Sequence, residues 1–261
     1  MLIGPMNKPV SDWRGKRIWL IGASSGIGAA MARQALADGA RVAVSARRPE
    51  ALEEVIQGAG DAIVAPFDVL SKAGWHEQYA RIKHAFGAID LIVFCVAQYR
   101  PERAWEVKEE DAQCTLQTNL CSMYSALATV LPDMLARGSG GIALVASVAG
   151  YVGLPAATVY GPSKAALINL AEILYNDLHG KGLDVYLINP GFVRTALTDK
   201  NDFFMPSIQT PKQAATAIWR GISLGRFEIA FPKSFTRLLK IFSMLPFRWR
   251  ASLLQRFLHA S

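Results

Sequence analysis

An α/β fold is what this sequence predicts: a doubly wound, mainly parallel seven-stranded sheet with helices on both faces. Three observations predict it. Seven short runs, "RIWLIG", "RVAVS", "AIVAPF", "LIVFCVA", "GIALVAS", "DVYLIN" and "FEIAF", are rich in β-branched or aromatic residues. Most of them lack polar alternation, as expected of strands covered on both faces. Longer stretches of helical spacing lie between most of the runs, and such alternation argues for parallel strands joined by helical crossovers. Ligands in such sheets bind beyond the C-terminal strand ends, so functional residues are sought there.

The first strand runs into "IGASSGIGAA", where Gly22, Gly26 and Gly28 form G-x-x-x-G-x-G opening a helix over 26–36. Glycine lets the backbone turn tightly and approach a pyrophosphate, and a helix N-terminus offers free N–H groups and a positive dipole end. The plainer reading is an ordinary strand–helix turn with incidental glycines. The second strand ends "VAVSARRPE", with Ser45, Arg47 and Arg48 and no acid before Glu50. An NAD site usually offers an acid there to the ribose hydroxyls, whereas an Arg pairs with a 2′-phosphate. One charge-assisted bond contributes about 1.5–3 kcal/mol, enough to favour NADP over NAD by roughly tenfold or more. Two solvated arginines at the start of a helix over 49–57 are the alternative. After the third strand, Asp68 and Val69 precede a helix over 71–86. Asp68 suits the adenine amino group or a helix cap equally well.

The fourth strand leads to one long helical stretch over 106–136. The fifth ends at Ser147, thirteen residues before Tyr160 in "YGPSKAALINLAEIL". Pro162 fits the first turn of a helix drawn over 163–179. Tyr160 and Lys164 then stand at i and i+4 and share a face. An ammonium beside a phenol favours phenolate; moving its pKa from about 10 to about 7 takes roughly 4 kcal/mol of differential stabilisation and suits general acid–base work. The Ser147 hydroxyl is placed to orient a carbonyl oxygen. The sixth strand, a helix over 211–224 and the seventh strand complete the order.

Here the sequence resembles the short-chain dehydrogenase/reductase (SDR) family, from about Arg17 to Pro232. The likeness rests on six ordered motifs: "GASSGIG", "FDV", "TNL", "VASVAG", "YGPSK" and "NPGFVRT". It implies a Rossmann-type domain over 1–232 that transfers hydride between NADP(H) and a carbonyl or secondary alcohol. By this resemblance Tyr160 moves the proton, and Lys164 tunes it and binds the nicotinamide ribose. Ser147 positions the carbonyl, and Asn119 helps hold a water relay. Gly22, Ser24, Ser25, Gly26, Ile27 and Gly28 would meet the diphosphate, Arg47 and Arg48 the 2′-phosphate, and Asp68, Val69 and Ala97 the adenosine. Pro190, Gly191, Val193 and Thr195 would flank the nicotinamide. The family is usually dimeric or tetrameric, so a homo-oligomer is expected. Two departures stand out. Ile21 replaces a common Thr, and Cys95-Val96-Ala97 replaces an Asn-Ala-Gly element after the fourth strand, which puts strand-end stability and cofactor affinity at issue.

Composition narrows the remaining classes. Three cysteines (Cys95, Cys114, Cys121) and four scattered histidines show neither a disulfide framework nor metal-ligand spacing. The cysteines read as small buried hydrophobes, and no metal is expected. The N-terminal stretch lacks the apolar core of a signal peptide, so the expectation is cytoplasmic. The uncharged run from Gly138 to Ser163 holds six glycines and two prolines and reads as strand plus loop rather than a membrane span. Tyr99, Tyr151, Leu154, Phe203, Phe204 and Met205 suggest an apolar substrate pocket under a mobile lid, or ordinary lid packing. The net charge of +7 concentrates in residues 226–261, which hold seven Lys/Arg and one acid, Glu228, and the part past the domain, 233–261, reads as a C-terminal helical extension. This extension shows two basic amphipathic stretches broken at Pro246. They suit either packing on protein or a peripheral membrane contact. No nucleic-acid motif accompanies the charge. A regulatory or scaffold protein that binds NADP without useful turnover is the rival to the enzyme.

Overall fold

The computed structural model describes residues 4–201 and 205–259. Seven strands form one sheet in the order β3-β2-β1-β4-β5-β6-β7: β1 (Arg17–Ile21), β2 (Arg41–Ser45), β3 (Ala62–Val64), β4 (Leu91–Phe94), β5 (Gly140–Val145), β6 (Leu183–Pro190) and β7 (Glu228–Phe231). Every neighbouring pair is parallel. The strand order reverses direction between β1 and β4, and that crevice is where a doubly wound sheet opens to ligand.

The strands lack alternation because both faces are covered. On one face Trp19, Ile21, Ile92, Phe94, Ile142 and Leu144 meet α3 (Lys72–Phe86), α5 (Ser122–Arg137) and α6 (Tyr160–Leu178). On the other, Ile18, Leu20, Val42, Val93 and Ile188 meet α1 (Gly26–Ala37), α2 (Pro49–Ile56) and α7 (Pro211–Ser223). Each fully buried branched side chain contributes about 1.5–3 kcal/mol relative to exposure. Thr210 and Gln213 close a capping box at the start of α7, and Ser71 accepts from Gly74 N–H at 3.0 Å to start α3.

The stretch expected as one helix over 106–136 is broken. It comprises α4 (Glu109–Leu116), a π-helical turn over Gln117–Cys121 and then α5. The extra residue per turn turns Asn119 inward until it is fully buried, a device common at functional sites. The helix drawn from Ser163 begins three residues earlier, at Tyr160. Two of the cysteines depart from expectation: Cys114 and Cys121 are exposed, because α4 and the π turn present them outward, whereas Cys95 is half-buried against the core after β4. The uncharged run 138–163 is β5 and its following loop. Among the described residues no helix is long and apolar enough to cross a membrane. Past β7 the chain forms α8 (Lys233–Met244) and α9 (Phe247–His259).

Candidate active site

The glycine loop is shaped by close backbone approach. Gly22 and Ala23 N–H both donate to the Ser45 carbonyl, at 2.8 and 3.1 Å, and this turns the chain off β1. Gly22 has φ +85°, and a Cβ on it would lie 2.6 Å from the Cys95 carbonyl oxygen. A Cβ on Gly28 would lie 2.2 Å from the Gly22 carbonyl oxygen. A side chain at either position therefore forces backbone apart. Gly26 faces the Thr195 methyl, so the segment after β6 closes over the loop. Ser25 stands at the N-cap of α1 without making a side-chain cap, and the first turn holds no acid. The start of this helix keeps its positive end for a diphosphate, and the residues fit that group. Ser24 and Ile27 are half-buried beside it and Ser25 is exposed. Gly28 is buried in the first turn of α1, and burial pushes the nearby Cys95 thiol up to about 11.

At the end of β2, Ser45 is fully buried and accepts from the Trp19 indole N–H at 2.9 Å. It belongs to the core and is withdrawn from the cofactor side. Arg47 and Arg48 are exposed, and among the described residues neither enters an ion pair. Asp68 is exposed, and its Oδ1 accepts from Leu70 N–H at 2.9 Å in a tight turn. Val69 is packed in the core, and its carbonyl accepts from the Trp75 indole at 2.8 Å.

Ser147, Tyr160 and Lys164 converge beyond β4, β5 and β6. Ser147 follows β5 and caps the short turn Val148–Gly150, accepting from Ala149 N–H at 3.1 Å. Its hydroxyl also hydrogen-bonds the Tyr160 phenol. Lys164 lies one helical turn below Tyr160, with Nζ 5.5 Å from the centre of the ring. It is 1 % exposed and donates to the Val145 carbonyl at 3.0 Å. The expected shift of the phenol toward 7 is not what the protein's own groups produce. Burial pushes Tyr160 up to about 12, against the Ser147 bond that lowers it. Burial also brings Lys164 down to about 8. Desolvation disfavours both charged forms, and the ammonium is bonded to a carbonyl rather than to the phenol. The pair therefore stands ready as a protonated phenol at neutral pH.

Asn119 is committed on three sides. Its Oδ1 accepts from Gln98 N–H at 2.6 Å, and its Nδ2 donates to the Gln98 carbonyl at 2.9 Å and to Ser163 Oγ at 3.1 Å. Its side chain thus clasps the strand end that Cys95-Val96-Ala97 leave without the family's asparagine. That makes Asn119 a positioning residue for the loop carrying Ala97 and Tyr99. The sequence held a signal for this clasp, a polar residue in an apolar helix, but not its target.

Tyr99 meets the Tyr160 ring edge-on, with centroids 4.8 Å apart. Its hydroxyl donates to Asn201 at 2.7 Å, and its carbonyl accepts from Lys200 Nζ at 2.7 Å. It ties the segment after Thr195 over Tyr160. Met205 sits near this tie, its sulfur 3.3 Å from Asn201 Nδ2; Phe203 and Phe204 lie outside the described residues. Leu154 is half-buried. Tyr151 departs from the expected pocket lining. Its hydroxyl donates to Glu228 at 2.6 Å, and Asn189 donates to the same carboxylate oxygen at 2.9 Å. Pro190 and Gly191 are held beside Phe231 at the end of β6, Val193 is buried, and Thr195 faces Gly26.

The family model for short chain dehydrogenase matches residues 16–203. This chain belongs to the short-chain dehydrogenase family. It is 33% identical over 215 residues to an uncharacterized oxidoreductase of Myxococcus xanthus, covering 81% of this chain and 85% of that protein. It is 30% identical over 223 residues to the ketoacyl reductase HetN of Nostoc, covering 82% and 78%. A solved short-chain dehydrogenase from Streptomyces avermitilis shares the fold with a TM-score of 0.79 at 22% identity, over 94% of this chain and 98% of that one. Short-chain dehydrogenases are oxidoreductases using a nicotinamide dinucleotide, and the open loop at 22–28 is consistent with that use.

Proposed function

We propose that this short-chain dehydrogenase reduces an apolar ketone with NADPH, or runs the reverse alcohol oxidation, with Tyr160 as general acid and base. The observation that carries the reading is the convergence of Ser147, Tyr160 and Lys164 where the glycine loop faces the ends of β4–β6. When bound, the dinucleotide supplies the hydride to the carbonyl carbon. Ser147 holds the carbonyl oxygen, and Tyr160 gives that oxygen its phenolic proton as the C–O bond becomes an alkoxide. A phenol raised to about 12 by burial is protonated at neutral pH, which fits the reductive direction. Lys164 steadies the developing phenolate. Gly22, Ser24, Ser25, Gly26 and Ile27 hold the diphosphate at the start of α1. Asp68, Val69 and Ala97 border the adenosine, and Pro190, Gly191, Val193 and Thr195 border the nicotinamide.

The NADP preference rests on Arg47 and Arg48, exposed and without an ion-pair partner among the described residues at the end of β2. The ketone class rests on the ring edge of Tyr99 beside Tyr160 and on the Nostoc relative being named a ketoacyl reductase. The reading includes a homo-oligomer: Tyr124 and Ile173, 53% and 47% exposed, stand on α5 and α6 over the same sheet face for a partner to cover. The test is NADPH oxidation across a panel of ketones and aldehydes, with long-chain 3-oxoacyl thioesters included. Steady turnover is expected, and replacing Arg47 and Arg48 together by Ala should raise the NADPH KM about 10–100-fold while leaving NADH use unchanged. Tight NADPH binding without turnover on any member would favour the regulatory rival.

A further inference from the structure

The tail differs from the rest of the surface in two ways at once. Residues 233–261 carry six Lys/Arg and no acid, whereas the first 232 residues carry 22 basic and 21 acidic side chains. Among the described residues, fourteen bulky apolar side chains are exposed, and six of them fall between 238 and 253. That is a patch rather than the single scattered residues normal on a soluble surface.

Helix α8 has two unlike sides. One faces the protein: Thr236 is buried, and Phe235 lies against Phe192 with ring centroids 5.6 Å apart. Phe235, Leu239 and Phe242 are half-buried on that side. The other side faces outward and holds Leu238, Ile241 and Met244, which are 64%, 61% and 84% exposed. Lys233, Arg237 and Lys240 run beside them as one row at i, i+4 and i+7. Lys240 is ion-paired with Glu228. Helix α9 continues the pattern with exposed Phe247, Trp249 and Leu253 and with Arg248. The side chains of Phe257 and Leu258 lie outside the described residues. The same lysine and arginine row borders a groove of about 750 Å³ between α7, β7 and α8, which Lys212, Arg220 and Arg226 line from its other wall.

We propose that α8 and α9 form a docking surface for an anionic membrane. Leu238, Ile241, Met244, Phe247 and Trp249 would enter the acyl boundary, and the cationic row would meet the lipid phosphates. Charge complementarity selects this occupant. Bulky apolar groups interleaved with cations match a layer that is apolar just beneath a sheet of anions. A second copy would bring six cations against six with no acid in either tail to answer them. The proposal stands on this surface alone, so it survives or fails separately from the catalytic reading.

The full chain should sediment with vesicles of equimolar phosphatidylglycerol and phosphatidylcholine at low salt, and weakly with phosphatidylcholine alone. Leu238→Ser with Ile241→Ser should weaken this binding at least tenfold, about what two exposed aliphatic side chains contribute. Lys233→Glu and Arg237→Glu, which leave the apolar side intact, should each weaken it roughly fivefold or more. Thermal melting and NADPH binding of each variant against the wild type verify folding. No sedimentation with the anionic vesicles overturns the proposal. So does equal, salt-insensitive binding to both vesicle types. A wild-type chain that ignores vesicles while the Leu238/Ile241 variant loses mass by light scattering overturns it in favour of a second copy. Equal binding to soluble polyglutamate, unmoved by the serine changes, overturns it in favour of an acidic polypeptide.

Discussion

Two of the tyrosine–lysine pairs among the described residues lie at nearly the same spacing, and only one of these two is suited to move a proton. Lys164 Nζ is 5.5 Å from the Tyr160 ring centre, and Lys240 Nζ is 5.4 Å from the Tyr151 ring centre. Both phenols are raised by burial. The difference is the third member. Tyr160 bonds a neutral hydroxyl, Ser147. Tyr151 is locked onto the Glu228 carboxylate, which also takes Asn189 and Lys240. Burial works to raise the Glu228 carboxyl, but the bonds from Lys240, Tyr151 and Asn189 together hold it below its usual range. A carboxylate partner fixes a phenol in its protonated form and uses its hydroxyl, leaving nothing to offer a substrate. A hydroxyl partner holds the phenol in place without closing it. Proximity of lysine to tyrosine is thus not enough to mark a proton donor.

The largest expected effect separates the two phenols directly. Tyr160→Phe should lower turnover about 10²–10⁴-fold with NADPH affinity nearly unchanged, the usual share of general acid–base catalysis. Tyr151→Phe should keep turnover within a few-fold. Equal losses from the two changes, in steady-state assays, would erase the distinction.

The next effect concerns the lysine of the first pair. Lys164 is depressed from 10.5 to about 8 by burial, so the fold favours its neutral amine. Such a group adds stability above pH 10.5, and this is lost as pH falls through about 8. The stability of wild type minus that of Lys164→Met should therefore fall by about 3 kcal/mol across that window, since each pKa unit is worth about 1.4 kcal/mol. Denaturant unfolding at several pH values measures it, and a flat difference would mean that Lys164 titrates normally.

The smallest effect is on the fold. Tyr151→Phe removes one donor from the half-buried Glu228 carboxylate, and melting should report a loss of about 1–2 kcal/mol. A loss within error would show that solvent replaces the phenol.

The seven strands were legible because each is a short β-branched run buried on both faces, and the order of elements followed from the crossover rule. That Ser147, Tyr160 and Lys164 come together was legible from spacing and motif. Other features depend on partners that spacing does not reveal. The π turn at 117–121 depends on Asn119 finding the Gln98 backbone. Glu228 finds Tyr151 across 77 positions of sequence. The acidity of Tyr160 was misjudged because the four-residue step to Lys164 says nothing about how dry the pair is, and here desolvation outweighs attraction.

The Trp19–Ser45 bond has a practical consequence for redesign. An engineer wishing to exchange the nucleotide preference would ordinarily install an acid at the tip of β2. At position 45 that acid would be driven into the core against the Trp19 indole, and the chain would more readily unfold than change its coenzyme. On the reading proposed above, the adjustable ground begins one residue later, at Ala46, and runs through the two arginines.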